Sequence, residues 1–270
     1  MSHPLVAALR SAAAEERIAA CAAAVQDPSA VLLVDALCAT LADPAREVAR
    51  EASRALSEIG ARHGGVTAAL SAALRGPDPR ARLLAALAIA RLGPPPLKLL
   101  PALVDALALP DGDLRFAAAR LLVDLGRMEP EVLGMLCALV AGVERPDVRR
   151  MAVFALRELA PDRDETARAL VAASHADDAA LRRAALTSLA ALRDPGDAVF
   201  ARLCEALAAD ADPAARSLAA SALCELACAH PERVGEDVRG ALAAAAGAGP
   251  LPARKAASRA LERLGAAPTT

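Results

Sequence analysis

The chain has 270 residues, 56% hydrophobic and 24% charged, with a formal net charge of −2 at pH 7. This balance excludes a disordered chain and a polyanion binder that works by bulk charge. With no Trp or Tyr and three Phe, at Phe116, Phe154 and Phe200, stacking platforms for single-stranded nucleic acid are nearly absent.

Residues 1–20 are interrupted by Glu15, Glu16 and Arg17 and lack a basic start before a long apolar run, so they do not read as a secretory signal. The apolar run 30–42 carries Asp35 and is too short to span a bilayer. The expectation is a cytoplasmic protein without membrane insertion.

The chain then repeats itself. Helix-length phrases close on Ile59, Leu92, Leu125, Leu159, Leu192, Leu226 and Leu264, at steps of 33, 33, 34, 33, 34 and 38 residues, after a degenerate copy closing at Val25. A fixed period of this size marks a stack of one supersecondary unit whose apolar face is buried by its neighbours. Each unit reads as two helices. The first helices are predicted over 30–41, 65–74, 97–108, 131–143, 165–174, 198–208 and 233–246. Turns follow at Asp43-Pro44, Asp78-Pro79, Asp111-Gly112-Asp113, Pro146-Asp147, Asp177-Asp178 and Asp212-Pro213. Asp there can accept the orphan amides of the next helix, and Pro suits a first helical position that needs no donor.

The second helices run to the closing residues. Apolar or small residues stand three and four positions before each, and Ala stands seven before (Ala52, Ala85, Ala118, Ala152, Ala185, Ala219 and Ala257), which describes one buried helical face. Gly60, Gly93, Gly126 and Gly265 stand where a helix end favours a left-handed residue. Ten positions before the closing residue, Arg82, Arg115, Arg149, Arg182, Arg216 and Arg254 recur. They read as a ladder, each pairing with the Asp of a neighbouring turn. The six Cys form no C-x-x-C pair, and Cys224 and Cys228 have no His nearby, so all six read as small apolar core residues.

The phrase Asp-Pro-x-x-Arg-x-x-Ala-x-x-Ala-Leu-x-x-Leu-Gly, clearest over 78–93, 113–126 and 146–160, resembles HEAT repeats. The resemblance covers nearly the whole chain. It implies an all-α fold, a right-handed alpha-solenoid of about eight HEAT-like helical hairpins in one domain over 1–270. The units would be about 1–27, 28–60, 61–93, 94–126, 127–160, 161–193, 194–227 and 228–265, with a tail at 266–270. The resemblance says less about function, because one fold serves many roles. The family's di-iron hydroxylases carry repeated His-Glu pairs, whereas His3, His63, His175 and His230 are each followed by another residue type. Its DNA glycosylases use a basic groove with aromatic residues, and the bilin lyases with related repeats need a tetrapyrrole pocket for which no residue set stands out. No phosphate-binding loop is present. No enzyme activity, catalytic residue, metal or cofactor is therefore expected.

In the family, second helices line the concave face. Off the buried positions, residues nine, five and two before each closing residue share an outward lane. The candidate protein-binding residues in it are Arg50, Arg54, Leu83, Leu87, Phe116, Arg120, Arg150, Phe154, Arg157 and Arg183. Two Phe ringed by Arg have the make-up of a binding hot spot. The expected function is a non-catalytic scaffold or adaptor that grips a protein partner, an acidic amphipathic segment, along this face. The alternatives are nucleic acid along the Arg lane, against which the apolar island speaks, and a HEAT-like lyase or other enzyme with unrecognised chemistry.

Overall fold

A computed structural model describes residues 3–142 and 145–266. Every regular element among them is helical, and sixteen α-helices form eight hairpins. The first four are α1 (Pro4–Ala8) with α2 (Ala14–Gln26), α3 (Val34–Thr40) with α4 (Arg46–Gly60), α5 (Val66–Ala73) with α6 (Pro79–Ala90), and α7 (Leu100–Ala106) with α8 (Gly112–Gly126). The next four are α9 (Glu131–Ala141) with α10 (Pro146–Leu159), α11 (Asp164–Ala173) with α12 (Ala179–Leu189), α13 (Asp197–Ala209) with α14 (Pro213–Ala229), and α15 (Glu236–Ala248) with α16 (Leu251–Ala266). The predicted first helices hold, though 3-10 turns at Ala30–Leu33 and Leu97–Leu99 replace the opening residues of two of them. The predicted end at Val143 and the tail residues 267–270 lie outside the described residues.

The chain divides into two compact units, Met1–Glu129 and Pro130–Thr270. In the first, the second helices α2, α4, α6 and α8 pack side by side in order; in the second, α10, α12, α14 and α16 do the same. The core lies in the seams, as the spacing predicts. The alanines seven before each closing residue, from Ala52 to Ala257, are all fully buried, as are Leu56, Leu122, Leu156, Leu189 and Leu223. Small side chains there let helices approach closely, and each buried leucine contributes roughly 1.5–3 kcal/mol. Ser53 replaces an apolar residue in the α4–α6 seam, and its hydroxyl donates to the Leu84 carbonyl at 2.8 Å, so no polar group is left unmatched there.

Asp78, Asp111, Asp178 and Asp212 cap α6, α8, α12 and α14. They accept from the amides of Arg80 at 2.9 Å, Asp113 at 3.0 Å, Leu181 at 2.6 Å and Ala214 at 2.9 Å. The glycine expectation is corrected. No described glycine has a positive φ. Helix α4 instead tightens at its end, the Arg62 and His63 amides both donating to the Ile59 carbonyl at 3.0 and 2.9 Å. Gly60 serves packing: a Cβ there would meet Leu92 Cδ1 at 2.9 Å.

The arginine ladder is also refined. The commonest partner of these arginines is the backbone of their own turn, as at Arg82, Arg115, Arg182 and Arg216. Nη1 of Arg82, Arg115 and Arg182 donates to the carbonyls six and five residues upstream, at Gly76 and Pro77, Leu109 and Pro110, and Ala176 and Asp177. Arg17 does the same with Ser11 and Ala12. These carbonyls end the first helix or open the turn, where acceptors are left over. An aspartate of the next hairpin is added at Arg17 (Asp43), Arg82 (Asp105) and Arg182 (Asp210). Burial opposes ionisation of Asp43 and Asp210, yet the hydrogen bonds from Arg17 and Arg182 and from nearby amides hold both carboxyls below the usual carboxylate range.

Candidate functional site

A groove of 480 Å³ lies over the second helices of the amino-terminal unit. Helix α4 contributes Glu47, Arg50, Glu51, Ser53 and Arg54 to it; α6 and its end contribute Leu84, Leu87 and Arg91; α8 contributes Asp113, Leu114 and Ala117. Beside Ala117 stands Phe116, which is 44% exposed and one turn from Asp113. An exposed aromatic next to an apolar floor can receive an apolar side chain.

Most of the rim charges are bound to one another, while Glu47 and Arg91 form no ion pair among the described residues. Asp111 caps α8 through Oδ1 and turns Oδ2 to the guanidinium of Arg46, reaching back to α4. Arg50 lies 3.6 Å from Asp113 and 4.0 Å from Asp111. Arg54 is clamped between Glu51 and Glu58 on its own helix, and first of all the Glu51 hydrogen bond raises its pKa further above the usual arginine value. Arg120 is exposed and forms no ion pair among the described residues.

Six of the ten predicted residues belong to this unit. Arg50, Arg54 and Leu87 line the groove, Phe116 and Arg120 stand next to it on α8, and Leu83 is fully buried. Leu83 is therefore no surface contact. The other four belong to the second unit. Arg157 lies over the Phe154 ring at 5.4 Å from its centroid and pairs with Glu158 at 2.8 Å. Arg150 is 3.6 Å from Asp178, and Arg183 is 2.6 Å from Asp212. The Asp212 carboxyl is held low first by the Ala214 amide and then by Arg183.

The lane is thus much less basic than its arginines alone suggest. Counting nine, five and two positions along each helix skipped Glu47, Glu51, Glu58 and Asp113. The pattern Glu51, Arg54, Glu58 was available in the sequence, because residues three and four apart on a helix are neighbours. The aspartates across the groove were not, since they come from two hairpins further on.

The cysteines and histidines show no such convergence. Cys21 and Cys224 are buried as expected, but Cys228 is exposed, which corrects its reading as a core residue. His3 precedes α1, His63 and His175 follow α4 and α11, and His230 ends α14. Among the described residues, no three His, Cys, Asp or Glu stand together as a metal site, and no helix is long and apolar enough to cross a membrane.

Comparison with known proteins agrees with this architecture. The family described as HEAT repeats matches residues 66–157 and 135–224, together more than half of the chain. No curated protein matches in sequence. Among solved structures, importin beta is similar at 16% identity and a TM-score of 0.63, covering 96% of this chain and 40% of its own. The X-ray structure of YibA from Escherichia coli has 17% identity and a TM-score of 0.58, covering 97% of this chain and 92% of its own. Human deoxyhypusine hydroxylase in complex with glycerol covers 97% of this chain and 94% of its own at 19% identity, with a TM-score of 0.41. At such identities the first two likenesses speak to fold alone. With its helical hairpins, its seam of alanines and this match, the chain belongs to the HEAT-repeat family, an all-α fold of the alpha-solenoid type.

Proposed function

We propose that this protein is a non-catalytic interaction scaffold that holds an amphipathic segment of a protein partner over the second helices of its amino-terminal unit. HEAT-repeat folds commonly serve this purpose. The observation that carries the reading is Phe116, 44% exposed beside a groove with Leu84, Leu87 and Leu114 on its apolar side. Covering an aromatic ring and the adjoining leucines removes apolar area from water, and a polar rim around such an anchor is the usual anatomy of a hot spot.

The rim sets the polar character of the partner. An acidic partner has to compete with Asp111, Asp113, Glu51 and Glu58 for Arg50 and Arg54. Arg120 and Arg91 carry no such competitor among the described residues, so the acidic contact is assigned to these two. The partner's affinity then comes mainly from its apolar residues.

The test is recovery of bound protein by the tagged full chain, wild type against Phe116→Ala/Arg120→Glu. Loss of an anchor and of its adjoining charge contact is expected to reduce recovery of a specific partner by about tenfold or more. Unchanged recovery by a folded double variant removes this reading.

A further inference from the structure

Arg17 and Arg182 use their two guanidinium edges alike. Nη1 holds the turn behind, while Nε and Nη2 grip both oxygens of an aspartate from the next hairpin: Asp43 at 2.7 and 2.9 Å, Asp210 at 3.1 and 3.0 Å. Arg216 begins the same way, its Nη1 donating at 2.9 Å to the carbonyl of Asp210, six residues upstream. Because the guanidinium is a rigid planar fork, fixing Nη1 on the turn aims the Nε–Nη2 edge at the following hairpin. No carboxylate meets it there. The offset of 28 residues that separates Asp210 from Arg182 leads from Arg216 to Ala244. Arg216 forms no ion pair among the described residues, and its Nε is buried without an acceptor. Of the recurring arginines it is the one left with a buried unmatched nitrogen. At this place a cavity of 630 Å³ opens, walled by Leu207, Ala241, Ala244, Ala245 and Ala248, with Arg216 as the ionisable residue in its lining.

We propose that this cavity in the second unit binds a small carboxylate carrying an aliphatic body. Once the guanidinium swings into the cavity and uncovers Nε, the two carboxylate oxygens would sit on the Nε–Nη2 edge of Arg216, where Asp43 and Asp210 sit on the equivalent arginines. The aliphatic body would lie along the alanine wall of α15. A charge-assisted, two-point contact fixes the head, and a mostly apolar cavity within the roughly 300–1,000 Å³ range of ligand sites takes the tail. The buried donor, costly while unmatched, gains an acceptor.

The probe is decanoate, with decanol as its uncharged counterpart, added to the full chain labelled at its alanine methyl groups and followed by NMR. Decanoate is expected to shift the methyl signals of Ala241, Ala244, Ala245 and Ala248 saturably at about 1 mM, with decanol at least about tenfold weaker. Arg216→Met removes the head contact. Ala244→Asp supplies from within the carboxylate that Arg17 and Arg182 already have. Each is expected to weaken decanoate by about tenfold or more, and Ala244→Asp also to raise the melting temperature. No methyl shift, equal binding of decanol, or wild-type decanoate binding by folded Ala244→Asp overturns the proposal.

Discussion

Cys228 is exposed on α14 while Cys21 is fully buried, and the two differ accordingly in chemistry. Burial, with help from Glu51 and Asp43, pushes the Cys21 thiol up to about 12, and burial does the same to Cys38 and Cys204, to about 11. Thiolate is the reactive form, so a thiol reagent at neutral pH is expected to modify Cys228 first, with Cys21 reacting only on unfolding. Peptide mapping after partial labelling checks this, and early modification of Cys21 contradicts it. Asp210 offers a second test. Its side chain is 3% exposed and bound to Arg182, which holds the carboxyl below its unfolded value. The charged form is therefore favoured in the native state. The stabilisation is complete above the ordinary carboxylate range and is lost as pH falls through the native pKa. Asp210→Asn is expected to cost about 1.5–3 kcal/mol at pH 7, the worth of a hydrogen bond to a charged group. Its gap from wild type should close below about pH 4. Urea unfolding across pH measures the gap, and a constant gap rejects this account.

At the level of elements, the hairpins were legible because helical periodicity leaves a repeated stripe: Ala52 and Leu56, or Ala219 and Leu223, point into seams wherever they occur. Helix ends were less so. A glycine after a helix suggested left-handed backbone, yet Gly60 keeps helical geometry, and its missing side chain makes room for Leu92. That requirement comes from a residue one repeat away and has no local signature. Gly60→Ala is expected to be nearly neutral, since the end of the Leu92 side chain can shift, whereas Gly60→Val should destabilise by about 1–3 kcal/mol through overpacking. Equal melting of the two variants would show that Gly60 is not confined. The candidate site divides in the same manner. Arg50, Arg54 and Leu87 line the groove because surface position follows from helical phase. Leu83 shares that phase but is buried, and the aspartates that meet Arg46 and Arg50 come from the start of α8.

For the whole molecule, the net charge is near neutral, and the lane arginines Arg50, Arg54, Arg150, Arg157 and Arg183 pair with the chain's own acids, which leaves little unmatched charge there to drive binding. On the proposed reading, recognition depends on apolar contact at defined places, Phe116 beside the groove of the amino-terminal unit among them. The chain has other exposed apolar side chains, notably Leu32, which is 73% exposed in the 3-10 turn just ahead of α3. The decisive measurement is site-specific photo-crosslinking in cell extract, with a photoreactive residue at Phe116 in one sample and at Leu32 in another. The account predicts one dominant protein adduct from position 116 that is absent from position 32 and is lost when Arg120→Glu is added. An adduct confined to position 32, or none from position 116 in a folded protein, contradicts it.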